Sequence, residues 1–79
     1  MLLKQGQNVR VRRCGDENWS AGCIALVSEN GLSLAIALDD AVPAGNGFLL
    51  NILPLIYDTA KSAYVGVLIP DCYEIEPEL

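Results

Sequence analysis

The stretch from Trp19 to Asp39, WSAGCIALVSENGLSLAIALD, reads as one long β-hairpin turning at Asn30-Gly31. An Asn-Gly pair favours a two-residue type I′ loop, because both central positions need positive φ. That loop would set Val27 opposite Leu34, Ala25 opposite Ile36 and Cys23 opposite Leu38. Cross-strand partners share a face, so Trp19, Cys23, Ala25 and Val27 are expected to join Leu34, Ile36 and Leu38 in the core. The other face carries Ile24, Leu26, Ser28, Ser33, Ala35 and Ala37, with no charge before Asp39. A strand face turned to water ordinarily carries charged or long polar side chains. A cover is therefore expected: closure of a barrel, a helix, or another subunit. Ile24, Leu26, Ala35 and Ala37 are the candidate interface.

Working outward, Gln7 to Arg13 alternates valine with arginine, the period of a half-buried strand. Gly15 to Asn18 is a turn cluster. Asp39 to Asn46 is expected as a loop, interrupted by Pro43 and Gly45. Phe48 to Tyr57 is apolar on both faces, as for a strand buried twice, with a bulge or break expected at Pro54. Asp58 to Ser62 is a turn, with Asp58 as a possible helical cap. Tyr64 to Ile69 is a fifth strand and Cys72 to Glu76 a short last one. Residues 75–79 look like a frayed acidic tail. The expected fold is all-β: a small five- to six-stranded barrel or a strongly bent antiparallel sheet, in a single domain spanning 1–79.

A chain of 79 residues has a thin core of its own, yet 52% of it is apolar and only 19% charged. Surplus apolar surface in a small chain is commonly buried against a second copy. Four of the five basic residues lie at or before Arg13, and all ten acidic ones at or after Asp16. The simplest consequence is pairing of the basic strand with the acidic body. The net charge of −5 argues against a partner in duplex nucleic acid. The longest apolar run, Phe48 to Tyr57, is far below the roughly 18–20 residues of a membrane span. The first ten residues have no signal-type apolar region, so a cytoplasmic location is expected. Cys14, Cys23 and Cys72 are odd in number and fit no metal-binding spacing, which reads as three reduced thiols.

Catalysis finds little support. The chain has no histidine, which removes the commonest base at neutral pH and the commonest metal ligand. No phosphate-cradling glycine motif is present. No catalytic residue, metal or cofactor is expected. Arg10, Arg12 and Arg13 are the candidate ligand-binding residues, since adjacent guanidiniums can fork onto phosphates or carboxylates.

The segment Val27 to Leu34, followed by Val42-Pro43-Ala44-Gly45 and Phe48-Leu49-Leu50, resembles the centre of a PilZ domain, a small β-barrel that binds cyclic di-GMP. That family carries a D/N-x-S-x-x-G loop and an upstream R-x-x-x-R. Ser28 and Gly31 match the S-x-x-G part and join the candidate ligand residues on that ground. Leu26 stands where the family has Asp or Asn, and Cys14 where Arg10 would need its arginine partner. Gln7 to Arg12, Trp19 to Ile24 and the strand ending at Asp39 are similar to the opening strands of SH3-like and Tudor-like barrels, without a convincing aromatic cage. The expectation is a non-enzymatic, self-associating and protein-binding module, with a degenerate cyclic-dinucleotide sensor as the alternative.

Overall fold

Val9 and Val11 point inward from the first strand, β1 (Asn8–Arg13), while Arg10 and Arg12 point out. Five more strands follow: β2 (Ser20–Val27), β3 (Ser33–Pro43), β4 (Leu49–Asp58), β5 (Ala63–Gly66) and β6 (Cys72–Pro77). This computed structural model describes residues 3–43, 47–68 and 71–78. Each strand pairs antiparallel with the next, and β6 returns to β1, so the sheet is a closed barrel. No helix occurs among the described residues. The inward side chains, including Val9, Val11, Ile24, Leu34, Ile36, Leu53, Leu55 and Tyr73, form one core. No polar side chain, apart from the Tyr73 ring, is buried with them among the described residues.

The hairpin forms where the sequence places it, but its loop and register differ. Val27 pairs with Leu34 as expected. Only Gly31 has positive φ, so Asn30-Gly31 is not a type I′ pair. Instead the Gly31 amide donates to the Ser28 carbonyl, and the Ser28 and Asn30 side chains fasten the loop. A β-bulge then intervenes between Ile24 and Leu26, and beyond it Ile24 pairs with Ile36 and Gly22 with Leu38. One extra residue in a strand exchanges its two faces. Ile24 therefore turns into the core, 1% exposed, which removes it from the candidate interface. Trp19 and Cys23 leave the core for the same reason. Gly22 faces inward where the two strands approach closely: a Cβ there would lie 2.5 Å from the Ala37 carbonyl oxygen.

Other expectations are corrected at the ends of strands. β3 runs on to Pro43 where a loop was expected, with a register shift against β4 between Ala37 and Val42. Residues 44–46 of that expected loop, and 69 of the expected fifth strand, lie outside the described residues. Pro54 neither breaks nor bulges β4. It stands opposite Ala35, and its carbonyl accepts from the Val67 amide at 3.1 Å, on the side where β5 has already ended. The N–H that proline lacks would point to that same side, where no regular ladder needs it. Residues 75–77 are no frayed tail: Ile75, Glu76 and Pro77 pair with Val11, Arg10 and Val9.

Candidate functional site

Three regions hold the residues singled out by the sequence. The first is the seam between β1 and β6. Arg10 lies opposite Glu76 and Arg12 opposite Glu74. The Arg10 Nε donates to Glu76 at 3.1 Å and the Arg12 Nε to Glu74 at 2.9 Å. Trp19 lies on this outer face, with each guanidinium carbon 4.4 Å from its ring centroid. Its place follows from the register: Val11 pairs with Ser20 at the start of β2, so Trp19, the residue before it, turns outward. Arg13 pairs with Asp71 at 3.2 Å. All three arginines thus have carboxylate partners, as the separation of basic strand and acidic body implied. Cys14 and Cys72 continue the row and are bonded to each other, with Cα atoms 5.5 Å apart. That corrects the reading of three free thiols; Cys23 is the free cysteine.

The second region is an open cleft of about 630 Å³ at the hairpin end of the barrel. Leu3, Lys4 and Gln5 form one wall, residues 27–32 another, and Tyr57 and Tyr64 the third. The two tyrosine rings meet edge to face, with centroids 5.1 Å apart. The Tyr64 hydroxyl donates to the Gly31 carbonyl at 2.9 Å, which ties β5 to the loop. Burial raises the Tyr64 pKa above its ordinary 10.0, and the neighbouring Tyr57 adds to the rise. Ser28 and Gly31 line this cleft, but the Ser28 hydroxyl is already committed, donating to Asn30 Oδ1 and accepting from the Ser33 amide. Arg12 and Arg13 line a different and smaller cleft, of about 90 Å³, beside Tyr73. The structure therefore does not bring the arginines together with Ser28 and Gly31. Among the described residues no three metal-ligating side chains converge.

The third region is the outer face of β2 to β5. Ala37 stands between Cys23 and Ile52, and Ala35 between Leu26 and Pro54. Ile56 pairs with Ser33 on one side and Val65 on the other. None of these side chains is charged. Leu26 is 64% exposed, Val67 52%, Ile56 48% and Ile52 44%. Leu26, Ala35 and Ala37 were legible as one face. Ile52 and Ile56 were missed because a strand apolar on both sides was read as doubly buried, and Val67 because its strand was assigned no outward face. The barrel closes with its strands alone, so the outer half of β4 meets solvent.

No family model matches the chain, and no curated protein or solved structure matches it either. No helix among the described residues is long and apolar enough to cross a membrane.

Proposed function

We propose that the chain is a non-enzymatic interaction module that associates with a second copy of itself, and through such assembly with other proteins, by the outer face of β2 to β5. The observation that carries this reading is the uncharged apolar row from Leu26 through Ala35 and Pro54 to Val67. Soluble monomers rarely expose large contiguous apolar patches. A standard interface takes about 800 Å² from each partner, which one side of a barrel with 5246 Å² of surface can supply. The outward row of β3 carries no charge through Ala37, and the exposed carboxylates of Asp39 and Asp40 follow it in the same strand. A two-fold contact suits a single patch, because the same patch serves both partners.

The test is solution mass by light scattering for Leu26→Asp and Ile52→Asp. Both side chains are exposed, so the barrel should keep its circular-dichroism spectrum. Each substitution counts twice in a two-fold interface and sets an unpaired carboxylate in an apolar contact, on the order of 3 kcal/mol or more. Monomeric, folded variants are expected. Folded variants that stay assembled would move the interface elsewhere.

The cyclic-dinucleotide reading is supported by one observation, the position of Ser28 and Gly31 on the wall of the larger cleft. It is tested by a thermal shift with cyclic di-GMP: a rise in melting temperature would support it, and no shift at high ligand would end it.

A further inference from the structure

Along the β1–β6 seam three outward cross-strand pairs follow one another: Arg10 with Glu76, Arg12 with Glu74, and Cys14 with Cys72. The last differs from the other two in being breakable by electron transfer. We propose that the Cys14–Cys72 bond is a redox clasp, which holds this end of the barrel shut when oxidised and lets β6 lift from its neighbours when reduced.

Four observations support it. Both cysteines lie on the outside of the barrel and are partly exposed to solvent. Besides the Tyr73 ring, packed in the core, and the Arg12–Glu74 pair, the ties at that end among the described residues are modest: the Cys14 amide donates to the Cys72 carbonyl at 2.9 Å, and Arg13 and Asp71 form an exposed ion pair, which contributes little. On its other side, among the described residues, β6 meets β5 through two register pairs, Tyr64 with Tyr73 and Val65 with Cys72. The smaller cleft, walled by Val11, Leu38, Leu53 and Tyr73, lies beneath this same end and would widen as Tyr73 moves out. Regions with few ties open locally at low free-energy cost.

The chemistry needs a dithiol as reductant. Its thiolate attacks one protein sulfur, the Cys14–Cys72 bond breaks, and a mixed disulfide forms while the departing thiolate takes a proton. The second thiol of the reductant then attacks the mixed disulfide, frees the other protein thiol and closes its own disulfide. Two electrons pass to the protein. Cys23 takes no part, since it sits at the far end of the first hairpin, paired beside Asn8.

The experiment uses the whole chain, air-oxidised and then treated with dithiothreitol. Thiol titration of the denatured protein should count one free thiol before treatment and three after. Amide exchange is then compared at Cys14 and Gly66, whose N–H groups bond Cys72 and Asp71, and at Ile24, which bonds Gln7 at the opposite end. Reduction should speed exchange at Cys14 and Gly66 at least tenfold more than at Ile24. The double variant Cys14→Ser, Cys72→Ser should show the same contrast without reductant. Three free thiols from the outset would overturn the proposal. So would equal acceleration at all three amides, or a double variant that cannot fold, since each makes the bond a staple of the whole fold. These outcomes are independent of whether the outer face associates.

Discussion

At the scale of single residues, two tyrosines link stability to pH. Burial pushes the Tyr73 pKa above 10.0; the nearby Arg13 guanidinium pulls the other way, and Asp71 adds to the rise. Tyr64 is raised by burial and by Tyr57. A folded-state pKa above the unfolded one means that the unfolded chain gives up its proton first as pH rises. Stability from both rings is then fully present below about pH 10 and is lost above it. Denaturant titrations from pH 8 to 11 should show a flat plateau followed by a fall. A fall that begins well below pH 9 would point to other groups. Tyr64→Phe removes the bond to the Gly31 carbonyl and should cost about 1 kcal/mol, a drop of roughly 4–8 °C in melting temperature for a domain of this size. Little of this was legible in the sequence, because nothing near Tyr64 says which loop it will meet. What brings Tyr64 to Gly31, 33 residues away, is the pairing of β5 with β4 together with that of β4 with β3.

At the scale of elements, the bulge at Ala25 decides which residues do what. Alternation alone puts Ile24 outside with Leu26; the bulge puts Ile24 inside and leaves Leu26 out. Ile24→Ala should cost about 2–5 kcal/mol, whereas Leu26→Ala should change stability by less than about 0.5 kcal/mol in a monomeric background. Thermal denaturation of the two variants checks this directly, and equal losses would mean that the bulge is misplaced. Gly22→Ala should also destabilise, because its methyl would press on the Ala37 backbone rather than on a movable side chain. The strands themselves were readable: valine-arginine alternation gave β1, and Leu34, Ile36 and Leu38 gave the inward face of β3, whereas Leu32, placed on the same face by alternation, precedes the strand and is exposed. The bulge was not, since nothing in Cys-Ile-Ala-Leu-Val says where one residue will be left over. It arises from bending the sheet until β6 meets β1, a demand of closure rather than of local sequence.

At the scale of the whole molecule, the paired arginines and glutamates gather on the β1–β6 seam and the exposed apolar row on β2 to β5. The basic β1 lies beside the acidic β6, and their side chains neutralise one another around Trp19. The charge map of the sequence held this pairing, although not the disulfide that ends it. Exposed ion pairs contribute up to about 1 kcal/mol each, so Arg10→Ala should leave the barrel folded and shift its melting temperature by only a few degrees. The surplus of apolar residues was equally plain in the composition. Its position was half legible, because Leu26, Ala35 and Ala37 were placed on one face, while Ile52, Ile56 and Val67 needed the barrel to show which side of β4 and β5 turns outward. That apolar face is the one we propose a second copy covers. The measurement that bears on this most directly is the light-scattering mass of the unmodified protein across a tenfold concentration range. A mass of two chains or more, held or rising with concentration, is the expected result. A single-chain mass at every concentration would contradict self-association by the outer face of β2 to β5.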